Sequence, residues 1–194
     1  MNLDAAPALT SLPTIEAEVW AELARAAQSK QHPWRTPVLA TRDADAVDAR
    51  TVILREVDIP NRTLLTYTDA RAGKAAQLRA HPQGTLVMWS AERGWQIRCR
   101  VQLSVDVGGL AATSRWARIS LTHAAHDYLS RRPPGAELTG AEQHAHDDNG
   151  QEPLGRGQFA VVSARVISID WLELGLRTHR RARFDEGDAR WLQP

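Results

Sequence analysis

The chain of 194 residues has one cysteine, two phenylalanines, two tyrosines and two lysines. A single cysteine excludes an intramolecular disulfide framework and a four-cysteine zinc site. No apolar run approaches the length of a membrane span, and the first residues lack a basic-then-apolar signal pattern, so a cytoplasmic protein is expected. A net charge of +1 gives no general pull toward nucleic acid or a membrane surface. The phosphate-binding patterns GxxxxGK[ST] and GxGxxG are absent, as are the nucleophile patterns GxSxG and SxxK. Hydrolase and nucleic-acid readings therefore have little support.

The composition is otherwise that of a globular chain, 43% hydrophobic and 24% charged, and its length suits one domain over 1–194. Two skews stand out. Of 24 basic residues only Lys30 and Lys74 are lysine, and seven tryptophans accompany the two phenylalanines. Codon bias accounts for most of the arginine excess, since alanine numbers 30. Whether particular arginines have a chemical role is left open by composition.

Residues 1–13 read as a loose arm. Residues 14–29 read as a packing helix, with Thr14 as N-cap and Ile15, Val19, Leu23 and Ala26 or Ala27 as its apolar stripe. Strands are expected at 37–41, 50–57 and 62–68, with a turn at Pro60-Asn61. A short helix over 71–81 stops before Pro82, and a strand follows at 85–91. The clearest pattern lies at 95–106. There Trp95, Ile97, Cys99, Val101, Leu103 and Val105 alternate with Gln96, Arg98, Arg100, Gln102, Ser104 and Asp106, which is a two-faced strand. Helices are expected at 109–119 and 122–131, a mobile loop at 137–158 and strands at 159–172 and 176–184. Many closely spaced strands with few helices predict a mainly β protein, an antiparallel barrel with flanking helices.

Four constellations carry charge or metal-binding groups. Arg177, His179, Arg181 and Arg183 alternate on the last strand and share one face. Such a row answers an anion or guards a solvated edge, and spacing alone does not decide between them. Tyr67-Thr68-Asp69-Ala70-Arg71-Ala72-Gly73-Lys74 runs from a strand into a helix start, which suits a phosphate. A plain capped turn is the commoner meaning of that pattern taken alone. Arg50 and Arg55, five apart on one expected strand, face opposite sides. His144, His146, Asp147 and Asp148 invite a metal reading, but a polar loop is the better one, because a closed site needs ligands on rigid elements. His123 and His126 have helical spacing without a visible third ligand. Cys99 falls on the apolar face of its strand, as a core residue would.

In order along the chain, these pieces resemble the pyridoxamine 5′-phosphate oxidase family of FMN-binding split barrels. Its closing signature, a Trp, five residues, then Arg-x-His-x-Arg, stands here as Trp171, Arg177, His179 and Arg181, followed by Trp-Leu-x-Pro at 191–194. Arg50-Thr-Val-Ile-Leu-Arg55 resembles the family's Arg-x-Val-Leu-Leu-Lys. Tyr67-Thr68-Asp69, Lys74, Gln96, and Tyr128 with Arg132 ahead of a Pro complete the match.

The resemblance implies an FMN cofactor. Arg50 and Lys74 would hold its phosphate with Thr68. Thr51, Val52, Ile53 and Tyr67 would line the site, Gln96 would hydrogen-bond the ring, and Trp171 and Arg181 would border it. Arg177 and His179 would meet the substrate as catalytic residues, and Arg55, Tyr128 and Arg132 would hold a substrate phosphate. It also implies a homodimer with FMN sites at the interface, each built from both chains. The implied reaction oxidises pyridoxamine or pyridoxine 5′-phosphate to pyridoxal 5′-phosphate, with dioxygen as acceptor. No metal, nucleic acid or membrane partner is implied.

The chain departs from the family in places. Its substrate-phosphate lysine is Arg55, a planar fork in place of a point charge. A site serine is Ala136. The serine-arginine before the flavin-phosphate lysine is Ala72-Gly73, with Arg71 nearby as a substitute. The acidic-aromatic pair before the Trp is Ile169-Asp170, and 137–158 offers no counterpart to the family's Gln-Ser flavin contact. A flavoprotein with another small-molecule substrate, a flavin reductase and a non-catalytic FMN-binding protein are therefore the rival readings.

Overall fold

The computed structural model describes residues 11–43, 45–122, 125, 128, 130, 132–138, 156–175 and 178–194. It opens with helix α1 (Leu12–Gln28). The cap is Ser11, whose Oγ accepts from Thr14 N, and not Thr14 as expected. Ser11 supplies the oxygen, and Pro13 suits a first turn that needs no donor there. The expected stripe of Ile15, Val19, Leu23 and Ala26 is buried, joined by Trp20. At the other end, Arg35 Nη1 donates to the carbonyl of Ala27, meeting the helix's negative pole.

Strands β1 (Val38–Asp43), β2 (Ala46–Thr51), β3 (Leu54–Asp58) and β4 (Thr63–Asp69) follow. The single strand expected at 50–57 is thus two. The chain turns at Val52-Ile53, where Val52 N bonds Pro37 O. Helix α2 (Gly73–Ala80), β5 (Gln83–Ser90), β6 (Trp95–Asp106) and helix α3 (Leu110–Ile119) come next. The chain ends with β7 (Phe159–Leu174), β8 (His179–Asp185) and β9 (Asp188–Leu192). The last strand was not foreseen. A two-residue turn at Glu186-Gly187, with Gly187 at φ +80°, makes it the second arm of a hairpin. The helix expected at 122–131 and the loop at 137–158 lie mostly outside the described residues, as do the histidine groups of both segments.

All strand pairs are antiparallel, in the order β2-β1-β5-β6-β7-β4-β3, with β8 on β7 and β9 on β8. Strands β2 and β3 sit at opposite ends of that path, yet only Val52 and Ile53 separate them in sequence. So short a link forces the sheet to curl until its ends meet, which is barrel closure without a closing ladder. Strand β7 is the seam. Its first half pairs with β4 and its second half with β8. Between them a register shift against β6 leaves Ile167 unpaired, and a bulge of this kind bends a strand.

The alternation read at 95–106 holds: Trp95, Ile97, Cys99, Val101 and Leu103 point into the core. Four of the seven tryptophans line up through it. Trp34 stacks on Trp95 (6.3 Å), and Trp95 meets Trp171 edge-on (5.5 Å). Trp171 in turn meets Trp191 (6.4 Å). Burial pushes the Cys99 thiol up to about 12, so it is an inert core residue. A smaller cluster under α3 gathers Leu65, Ala112, Ile119, Tyr128 and Phe159. No helix among the described residues is long and apolar enough to cross a membrane.

Candidate functional site

A cleft of about 210 Å³ opens where β3, β4 and the start of α2 converge. Thr51, Val52, Ile53, Arg55, Tyr67, Thr68, Lys74 and Tyr128 line it, with Pro134. Eight residues singled out in sequence therefore meet at one place. The closure of the barrel explains why: the Val52-Ile53 corner and the β4–α2 turn are brought together by it.

Asp69 also lines the cleft but is paired with Arg71, so Lys74 and Arg55 set the charge it presents. Burial first, and then the neighbouring Arg50 guanidinium, holds the Lys74 ammonium below its ordinary pKa. Among the described residues no carboxylate pairs with Lys74. Arg50 donates to Thr41 Oγ1 (2.5 Å) and Gln77 Oε1 (2.7 Å), and pairs with Asp48. It thus stands beside α2, one turn beyond Lys74. Because the strand breaks at 52–53, Arg50 and Arg55 belong to different strands: Arg50 acts on Lys74 from the side of Gln77, and Arg55 lines the cleft with Lys74. Arg55 is the bulged residue between Leu54 and Glu56, a position that re-aims a side chain. Its Nε is buried without a hydrogen-bond partner among the described residues. Arg35 adds a further cation: burial and then Arg55 lower its pKa.

Helix α2 begins at Gly73 behind Ala72, which offers no side-chain cap; the Ala72 and Ala75 amides bond Asp69 O and Ala72 O, which leaves those of Gly73 and Lys74 to donate. A Cβ placed on Gly73 would meet nothing, so open space adjoins that first turn. Free amides, a desolvated lysine, a nearby arginine and an orphaned guanidinium N–H fit a bound phosphate. Arg71 does not take part. Its side chain donates to Asp69 and to the carbonyls of Ser130 (2.8 Å) and Arg132 (3.3 Å). It is therefore spent as a clamp on the 130–132 segment, and the expected substitution for the missing arginine does not occur. Arg132 lines neither described cleft.

Tyr67 is held on three sides. Its hydroxyl donates to Glu56 Oε1 (2.5 Å), Arg55 lies over its ring (5.7 Å) and Phe159 meets its edge (5.1 Å). Burial, then the Glu56 carboxylate, raises its pKa.

A second cleft, about 380 Å³, is lined by His179, Arg180, Arg181, Trp191, Leu192 and Pro194. Cross-strand neighbours share a face, so Gln96, Leu172, Arg181 and Leu192 form one row over β6, β7, β8 and β9. Gln96 and Arg181 thus belong together, away from Lys74. The basic row on β8 is not bare. Arg181 is gripped by Asp170 through Nε (3.1 Å) and Nη2 (2.8 Å), and Arg183 by Asp185. Arg98 joins Asp170 at 2.6 Å. Burial opposes ionisation of Asp170, but the hydrogen bonds from Arg181 and Arg98 outweigh it and hold its carboxyl below the usual range.

Trp171, expected at the flavin, is fully buried between Trp95 and Trp191 and under Arg180, and its Nε1 has no hydrogen-bond partner among the described residues. Arg177 lies outside the described residues. Sequence reading missed Glu56, Arg115 and the part played by Asp170. Glu56 beside Arg55 was one available signal, but its partners come from β4 and α3 and need tertiary structure.

Residues 17–106 match the family model described as pyridoxamine 5′-phosphate oxidase, FMN-binding domain. That stretch contains Arg50, Arg55, Lys74 and Gln96. A 61-residue segment is 43% identical to the pyridoxine/pyridoxamine 5′-phosphate oxidase of Thermosynechococcus vestitus, spanning 31% of this chain and 28% of that protein. Two solved structures match nearly end to end. A pyridoxamine 5′-phosphate oxidase-related, FMN-binding protein of Nostoc punctiforme superposes with a TM-score of 0.71 at 18% identity, covering 98% of this chain and 99% of that one. PhzG of Burkholderia lata, in complex with tetrahydrophenazine-1-carboxylic acid, gives 0.70 at 18% identity, covering 99% of each. At that identity these two speak for the fold. Over residues 17–106 the chain is therefore similar to the FMN-binding domain of pyridoxamine 5′-phosphate oxidase, and it shares the fold of these two structures.

Proposed function

We propose that this protein is an FMN-dependent oxidase of pyridoxamine or pyridoxine 5′-phosphate, acting as a cytoplasmic homodimer. One observation carries the reading. A single cleft has Lys74, backed by Arg50, and Arg55, and among the described residues Lys74 has no carboxylate partner and Arg55 Nε no hydrogen-bond partner. Both are cationic features suited to phosphate, and FMN and this substrate each bring one.

In this reading Arg50, Lys74, Thr68 and the first amides of α2 hold the FMN phosphate. Thr51, Val52, Ile53 and Tyr67 shape the wall, and Arg55 and Tyr128 receive the substrate phosphate. Charge-assisted bonds of this kind are worth about 1.5–3 kcal/mol each. FMN supplies a two-electron acceptor that dioxygen can regenerate. His179 and Arg181 line the other cleft, Gln96 shares a cross-strand row with Arg181, and these three with Arg177 would complete the site from a second copy. His179 and Arg177 orient the substrate ring and balance its charge. The exposed Val38 and Trp89 on the outer sheet face support such pairing.

A second reading keeps FMN and changes the substrate. Arg55 in place of lysine and Ala136 in place of serine weaken the case for a pyridoxine-type phosphate. A conjugated carboxylic acid, like the ligand held by PhzG, would also suit a cationic cleft. Peroxide release from the FMN-loaded protein with a panel of both substrate types decides. Turnover of pyridoxamine 5′-phosphate is expected, and its absence refutes the first reading.

A further inference from the structure

We propose that Glu56 is a positioning residue of the cofactor cleft, which turns the Tyr67 hydroxyl away from the ligand so that Tyr67 serves the cleft by its ring alone. The inference rests on the cleft being the FMN site. Tyr67 sits between β3 and the cleft, and its O–H could in principle face a phosphate. It does not, because Glu56 Oε1 takes it at 2.5 Å.

Glu56 is itself fixed. Arg115 of α3 donates to it twice, Nε to Oε1 at 3.0 Å and Nη2 to Oε2 at 2.8 Å, a bidentate pair. Arg118 adds a third donor at 3.3 Å. Burial opposes ionisation of Glu56, but the hydrogen bond from Tyr67 and the contacts from Arg115 and Arg118 outweigh it and hold the carboxyl below its usual range. An ionised carboxylate can only accept, so the Tyr67 oxygen must donate to it. The phenol is thereby kept neutral and pointed toward α3. The ring remains, braced by Phe159 at its edge and by Arg55 over its face. A neutral aromatic wall beside Lys74 suits the apolar and conjugated part of a ligand, leaving the phosphate to the cations.

The chain has two tyrosines, so ultraviolet titration of phenolate, as wild type minus Tyr67→Phe, isolates Tyr67. It needs no FMN. In the wild type Tyr67 should ionise well above the ordinary tyrosine range, and in Glu56→Gln its step should move down toward that range. Tyr67→Phe should bind FMN within about twofold of wild type, against a roughly tenfold or greater loss in Lys74→Ala. Ionisation of wild-type Tyr67 in the ordinary range overturns the proposal. So does a Tyr67→Phe loss as large as that of Lys74→Ala. The first readout stands even if Glu56→Gln fails to fold. Unchanged affinity in Lys74→Ala would instead refute the FMN site and leave the Glu56–Tyr67 pairing to be judged by titration alone.

Discussion

Asp170 on β7 holds Arg181 on β8 by two hydrogen bonds, to Nε at 3.1 Å and Nη2 at 2.8 Å, while Arg98 on β6 reaches the same carboxylate. Three adjacent strands are tied by one side chain. A carboxyl whose folded pKa lies below its unfolded value adds stability above the unfolded value, and loses it as pH falls through the folded one. Asp170 is such a group. Asp170→Asn should cost about 1–3 kcal/mol at neutral pH. The variant should also lose less stability than wild type on acidification below about pH 4. Denaturant melts across pH check both.

Arg50→Ala and Lys74→Ala should each weaken FMN binding by roughly ten- to a hundredfold, the size of one lost charge-assisted hydrogen bond. Quenching of flavin fluorescence measures it.

On the proposed site, Lys74 would give FMN binding a pH dependence. Its folded pKa is lowered by burial and by Arg50, so the unprotonated form appears earlier than in a free lysine. In the ligand-free protein, stability should rise with pH through that window, because the unfolded chain binds more protons there. A phosphate dianion favours the ammonium and reverses the preference. FMN affinity should therefore fall as pH rises through the Lys74 range, and that fall should vanish in Lys74→Met.

Trp171→Ala should destabilise by about 3–5 kcal/mol, the usual cost of emptying a large core position. Trp171→Phe should lower the melting temperature while changing FMN affinity little. The opposite pattern would place the indole at the ligand.

Arg71→Met should release the segment whose carbonyls it holds. Tryptic cleavage after Arg131 should quicken in this variant, with FMN affinity kept within about threefold, less than one lost hydrogen bond.

Periodicity located most of the elements. The two-faced strand at 95–106 was legible residue by residue, because a half-buried strand writes its burial at period two. The corner at Val52-Ile53 was not. The run from Arg50 to Val57 is rich in β-branched residues and holds no Gly or Pro, and only the barrel's need to pass from one sheet end to the other breaks it. The same break undid the face argument for Arg50 and Arg55. Strand β9 was hidden because Asp188–Leu192 is short and gains its pairing from β8.

The candidate site divides in the same way. The motif residues Lys74, Arg55, Tyr67 and Tyr128 were identified in the sequence by resemblance to the family's ordered motifs, which spacing alone left open. Their partners were not. Glu56 takes the Tyr67 hydroxyl, Asp170 takes Arg181, and Arg71 clamps 130–132 because strand register and helix docking set those distances. Residue identity and local periodicity thus determined what groups the protein has and which face of each strand is apolar. Tertiary structure alone decided which charges are neutralised, which remain open to a ligand and which tryptophan is core, because those depend on contacts between elements far apart in the chain.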